Sequence, residues 1–217
     1  MFPQVILGTP TDDTPLEPLK KSKKKKSKGK GIHPHYHTDA VVALSWNTQA
    51  RSLLASGSAD QTIKLWDLNS PAKALRSFHA HKDKVAALQW NPASPTVLLS
   101  GGFDATVSVF DTRSPDQSST FKLKSDVECL AWDPFAPERF MVSSEDGLVT
   151  CYDARNTKGS IFKVHAHDGP VSALDLSPVI KGCMITGSAD KTVKVWNLEG
   201  NAPACVVSRD LGTVWSL

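Results

Sequence analysis

Apolar residues in this chain come in short runs that alternate with polar ones. The clearest are Thr62-Ile63-Lys64-Leu65-Trp66, Thr106-Val107-Ser108-Val109-Phe110, Leu148-Val149-Thr150-Cys151-Tyr152 and Thr192-Val193-Lys194-Val195-Trp196. β-Branched and aromatic residues at a period of two predict strands. Each run follows a second one, such as Leu53-Leu54-Ala55-Ser56 or Met184-Ile185-Thr186, across a short turn that contains an aspartate. Asp146-Gly147 is the strongest of these turn signals, because glycine takes a left-handed backbone without a Cβ penalty. A further strand is expected to end at Trp46 and at Trp90, and a poorer one to cover Ala74 to Phe78. No long segment holds the 3.6-residue period of a helix, so the prediction is an all-β chain.

The hairpins repeat. Asp60, Asp104, Asp146 and Asp190 lie 44, 42 and 44 residues apart. Each stands 14 residues after an apolar anchor (Trp46, Trp90, Trp132, Leu176) and seven before a second polar residue (Asp67, Asp111, Asp153, Asn197). A period in the low forties with four strands per unit is the signature of a propeller blade. A single blade cannot bury its apolar faces, so neighbours must stack on it. The expected organisation is a tail over residues 1–32, four blades over 33–208, and the start of a fifth over 209–217. An open stack of this kind would leave one apolar blade face bare at each end.

In these units the chain resembles the WD40-repeat family of β-propellers. The resemblance implies a hydrogen-bonded relay of Trp, Ser or Thr, His and Asp in each blade. The matching residues are Trp66, Ser56, His37 and Asp60 in copy one, and Trp196, Thr186, His167 and Asp190 in copy four. Copy two keeps His81, Ser100 and Asp104 but has Phe110 for the tryptophan. Copy three keeps Asp146 and places Leu123, Val142 and Tyr152 where His, Ser and Trp would be. Losing one buried partner costs about 1–3 kcal/mol, whereas losing both together can be nearly neutral. Copy three is therefore expected to be a genuine blade held by packing. The resemblance also implies a ring of about seven blades, so four would be an incomplete one.

His, Ser and Asp together invite a hydrolase reading. The trio recurs at matched spacing in three copies, and its serine falls within a strand. An architectural role is expected, with no catalytic residues. The run His33-Pro34-His35-Tyr36-His37 and the two His-Ala-His segments match no zinc spacing, and the four cysteines, Cys129, Cys151, Cys183 and Cys205, form no C-x-x-C pair. No metal, cofactor or small-molecule substrate is expected.

Charge divides the chain. Lys20, Lys21, Lys23, Lys24, Lys25, Lys26, Lys28 and Lys30 form a tract without an acid, and residues 31–217 carry 17 basic against 19 acidic groups. The net charge of +3 thus describes the tail. Residues 1–19 hold too little apolar surface to offset chain entropy. Lysine runs serve nuclear import and sequence-blind contact with RNA phosphates. No aromatic residue is interleaved with them, which argues against base stacking. The opening residues lack a charged secretory start, and no apolar run approaches the roughly 20 residues of a membrane span. Nucleus or cytosol is the expected compartment.

A narrower resemblance within the family is carried by the segments between repeats: Arg113-Ser114-Pro115-Asp116, Pro178 to Cys183, and Val207 to Gly212. It implies a nucleolar scaffold for assembly of the large ribosomal subunit, with pre-ribosomal particle components as partners through propeller rim loops. It also implies an acidic stretch before the lysines and further blades beyond residue 217. The alternative is a substrate receptor of a cullin-4-type ubiquitin ligase. It rests on the D-x-R endings Asp111-Thr112-Arg113 and Asp153-Ala154-Arg155, whose arginines, Arg113 and Arg155, could fork onto an adaptor carboxylate.

Overall fold

A computed structural model of the chain describes residues 35–200 and 202–211. The lysine tract, His33 and residues 212–217 lie outside the described residues. The described chain has no helix and sixteen strands in four antiparallel sheets. Blade one holds β1 (Val41–Trp46), β2 (Leu53–Ser58), β3 (Ile63–Asp67) and β4 (Arg76–Phe78). Blade two holds β5 (Val85–Trp90), β6 (Val97–Gly102), β7 (Thr106–Asp111) and β8 (Ser119–Lys122). Blade three holds β9 (Val127–Asp133), β10 (Ala136–Ser144), β11 (Leu148–Asp153) and β12 (Phe162–His165). Blade four holds β13 (Ala173–Leu176), β14 (Cys183–Gly187), β15 (Thr192–Asn197) and β16 (Ala204–Asp210). Each sheet is a meander in chain order, the arrangement of a partial β-propeller.

The first strands β1, β5, β9 and β13 touch in sequence, so the blades stack one to four. The periodic tryptophans bolt the stack. The Trp90 main-chain N–H donates to Ser45 Oγ at 3.1 Å, and its indole donates to the Ser45 carbonyl at 3.1 Å. Trp132 repeats this one blade on, with its N–H on Gln89 Oε1 at 2.5 Å and its indole on the Gln89 carbonyl at 3.2 Å. Asn47 and Asn91 each donate across the same seams, to the carbonyls of Pro95 and Pro137, both at 2.7 Å. Glycine permits the close approach: a Cβ on Gly57 would stand 2.7 Å from Val85, and one on Gly101 2.5 Å from Val127.

Trp46 and Leu44 occupy the same blade positions on the outer face of blade one. They are 59% and 63% exposed, against 6% and 8% for Trp90 and Leu88. Among the described residues no blade precedes it, and the Trp46 indole donates to Arg51 O in its own loop, at 2.9 Å.

Lys64 and Lys194 stand at polar positions of β3 and β15. Lys64 is 1% exposed, with its ammonium on Ser77 Oγ at 2.8 Å. Lys194 reaches the Ala166 carbonyl at 2.7 Å.

Candidate functional site

The turn aspartates organise each blade. The residue after each has a left-handed backbone: Gln61 (φ 70), Ala105 (φ 55), Gly147 (φ 78) and Lys191 (φ 73). Only copy three uses the glycine that the turn signal calls for. In the others the carboxylate fixes the turn. Asp60 Oδ1 accepts from the Thr62 N–H and hydroxyl at 2.9 and 2.6 Å, while Oδ2 accepts from the Thr38 N–H at 2.9 Å. Such over-determination offsets the cost of a left-handed residue.

The structure brings the sequence-identified relay residues together. Asp60 accepts from His37 Nδ1 at 2.9 Å, and His37 Nε2 meets Ser56 Oγ at 2.7 Å. The Trp66 indole donates to the same hydroxyl at 2.8 Å. A carboxylate only accepts, so Nδ1 carries the proton. Nε2 then accepts from the Ser56 O–H, whose lone pair accepts the indole. Blade four repeats the chain: His167 to Asp190 at 2.9 Å, His167 to Thr186 at 2.7 Å, and Trp196 to Thr186 at 2.9 Å. In blade two His81 contacts Asp104 at 3.1 Å and Ser100 at 2.9 Å, and Phe110 offers no indole. A threonine missed in the sequence joins each relay: Thr62, Thr106 and Thr192 all donate to the carboxylate. Its signal was legible, since a threonine follows three of the four aspartates by two residues.

The connectivity matches that of a hydrolytic triad, but its chemistry does not. Ser56, Ser100 and Thr186 are 2%, 0% and 0% exposed. A nucleophile must be reached by substrate, and the Ser56 oxygen is already committed on both sides.

Blade three has no relay. Val142 is fully buried and Tyr152 nearly so, with Leu123 packed beside the same cluster. Asp146 still braces its turn by accepting from the Ser144 hydroxyl at 2.6 Å.

Burial pushes the His37, His81 and His167 imidazoles below their ordinary 6.5, against the pull of Asp60, Asp104 and Asp190. Burial also works to raise those carboxyls. Hydrogen bonds outweigh it, above all from Thr62 to Asp60, from the Lys82 N–H to Asp104 and from Thr192 to Asp190. Asp60 and Asp190 are held at about 2, and Asp104 below its ordinary value. An imidazole harder to protonate when folded costs nothing above 6.5. Below that, the unfolded chain binds protons first and stability falls. The carboxylates add stability above 3.8 that is lost as pH falls toward 2. Urea midpoints should therefore be flat from about pH 8 to about pH 7 and then fall in two steps, one beginning near 6.5 and one below about 4. A single step below about 4 would mean that the buried imidazoles are not held neutral.

The D-x-R arginines close on their own loops. Arg113 donates to Asp111 at 3.0 and 2.7 Å, and Arg155 to Asp153 at 2.9 and 2.6 Å. Hydrogen bonds from Arg113 hold Asp111 well below the carboxylate range, and those from Arg155 hold Asp153 at about 2. Among the described residues no group of histidine, cysteine and acidic side chains is placed to hold a metal.

The two rims differ. One carries the aspartate turns. The other carries the loops β1–β2, β9–β10 and β13–β14 and the segments after β3, β7 and β11. Two inserted segments, 113–116 and 178–183, fall on this second rim, as do Arg113 and Arg155. So do the exposed apolar tips Phe135, Val179 and Ile180, at 44%, 83% and 62%.

A profile of the WD domain, G-beta repeat matches residues 30–67, 72–111 and 158–197, and so leaves out β9 to β11 of the relay-free blade three. The chain is 48% identical over 211 residues to an uncharacterized WD repeat-containing protein of Schizosaccharomyces pombe, covering 97% of this chain and 39% of that protein. It is 39% identical over 223 residues to Periodic tryptophan protein 1 of Saccharomyces cerevisiae, covering 96% and 38%. It is 31% identical over 188 residues to the Periodic tryptophan protein 1 homolog of Drosophila melanogaster, covering 85% and 41%. The chain thus spans about two fifths of the length of these curated relatives.

Proposed function

We propose a scaffolding role from one premise: this chain belongs to the WD40 family of WD domain, G-beta repeat proteins. The blades act as a non-catalytic platform in ribonucleoprotein assembly, and the assembly is that of the large ribosomal subunit in the nucleolus. Two features support the reading: the similarity to Periodic tryptophan protein 1, and the pairing of a lysine tract with a rim that carries two of the inserted segments. The carrying observation is that rim. Phe135, Val179 and Ile180 are exposed on loops between paired strands of blades three and four. Exposed apolar tips suit partners that present apolar pockets. The tract Lys20–Lys30 would supply nuclear import and a salt-sensitive attraction to RNA.

The ligase-adaptor alternative gains no specific support, because both guanidinium forks are engaged within their own loops.

Replacing the eight tract lysines with glutamine should lower nuclear accumulation and flatten the salt dependence of RNA binding. The log–log slope should fall by about 0.7 for each phosphate that is no longer neutralised. Val179→Asp with Ile180→Asp should abolish co-sedimentation with large-subunit precursors while leaving the circular dichroism of the blades intact. Unchanged localisation, salt slope and co-sedimentation together would sink the reading.

A further inference from the structure

Blade two departs from blades one and four at two positions on the flank that faces blade one. Blades one and four carry Lys64 with Trp66 and Lys194 with Trp196, whereas blade two carries Ser108 with Phe110. Both differences remove volume and a polar head. The gap is a pocket of about 350 Å³ between this flank and β4 of blade one, partly open to solvent. The corresponding cleft of blade three holds only about 30 Å³. There Tyr152 fills the flank, stacked on Phe140 and packed against Phe121.

We propose that this pocket receives the side chain of a lysine from a lysine-rich polypeptide segment. Its walls suit both ends of that ligand. Phe78 and Phe110, with ring centroids 5.1 Å apart, offer an apolar, π-rich wall to the methylene stem and its cationic tip. Asp116, from the segment inserted after β7, supplies a carboxylate, and Ser108, Ser118 and Thr120 supply hydroxyls. Among the described residues that line the pocket there is no lysine or arginine to repel the ligand. The nearby guanidiniums are engaged elsewhere. Arg76 donates to the Thr112 and Arg113 carbonyls at 2.9 and 3.3 Å, and Arg113 to Asp111. Lys64 reaches Ser77 on the opposite side of the sheet, since the pair Lys64 and Ser77 faces away from the pair Ile63 and Phe78.

The fold shows twice how it houses such a side chain. Lys64 and Lys194 lay their stems along the blade flank and rest their ammonium groups on an oxygen. At the matching place in blade two the serine leaves the slot for a lysine from elsewhere. Two sources share this chemistry: a partner protein, and the chain's own tract at Lys20–Lys30. The second is tethered close by. The Ala74 N–H donates to the His35 carbonyl at 3.2 Å, two residues before β4, and Lys30 is only five residues upstream of His35. Five extended residues span at most about 17 Å.

The test titrates an acetylated, amidated Gly-Lys-Gly peptide onto the isotope-labelled full chain and onto the chain with its eight tract lysines changed to glutamine. A peptide with norleucine in place of lysine is the uncharged control. The readout is the amide resonances of Ser77–Ala80 and Ser108–Phe110. Saturable shifts confined to those residues are expected. Asp116→Asn, a change on an exposed loop, should weaken binding about tenfold, equivalent to about 1.4 kcal/mol. Ser108→Lys should abolish it by placing the chain's own ammonium in the slot. Tighter binding to the tract-neutralised chain assigns the native occupant to the tract, and equal binding assigns it to a partner; either result supports the pocket. The proposal is overturned if the tract-neutralised chain gives no saturable shift. It is equally overturned if the norleucine peptide binds as well, or if Asp116→Asn leaves the affinity unchanged.

Discussion

Phe140→Ala should cost about 3–5 kcal/mol, the largest loss expected from any single truncation in this chain. Phe140 is fully buried at the centre of blade three. Its ring lies 5.1 Å from Phe121, 5.6 Å from Trp132 and 5.6 Å from Tyr152, and is stacked on the last. Blade three has no histidine relay, so aromatic and aliphatic packing must hold it. Removing the ring leaves a cavity whose walls are large, stiff side chains that collapse poorly. The measurement is the urea midpoint at unchanged slope, with the exposed Phe135→Ala as the control expected within about 0.5 kcal/mol of the parent. A loss below about 1 kcal/mol for Phe140→Ala would mean that packing is not what replaces the relay.

Gly147→Ala should be nearly as damaging, at about 3 kcal/mol or more, for a reason that φ alone does not supply. Its backbone is left-handed, which costs an ordinary residue about 1–2 kcal/mol. Yet Ala105 already takes that conformation at the same place in blade two. The difference is the neighbour. A Cβ on Gly147 would stand 2.0 Å from the main-chain carbonyl oxygen of His167, the first residue of the next relay. That carbonyl cannot withdraw easily, because the Ala166 N–H is bonded to the Gly147 carbonyl at 2.9 Å. The substitution should therefore loosen blade four's relay as well, seen as faster exchange of the Trp196 indole proton. Ala105→Gly, its mirror control, should shift stability by less than about 1 kcal/mol. Equal effects of the two changes would show that turn strain, and not the seam between blades, sets the cost.

Strand starts and ends, the four-unit period and the relay members His37, Ser56, Asp60 and Trp66 are local or periodic signals. Propensity and matched spacing carry them. The left-handed Gln61, Ala105 and Lys191 escaped notice because the device that tolerates them is a set of hydrogen bonds from residues such as Thr38, 22 positions away from its partner Asp60. The pocket in blade two was invisible for a similar reason. Ser108 and Phe110 look like ordinary strand residues until they are set beside the lysine and tryptophan of the other blades and against β4.

By itself the sequence determined the all-β class, the four repeats among the described residues and which of them keep a relay, because those properties depend on residue type at fixed spacing. The tertiary structure alone decided which apolar residues are covered, where the inserted segments gather, and what the D-x-R arginines hold. Those outcomes depend on which surface of one blade meets the next, a long-range contact that no local pattern encodes.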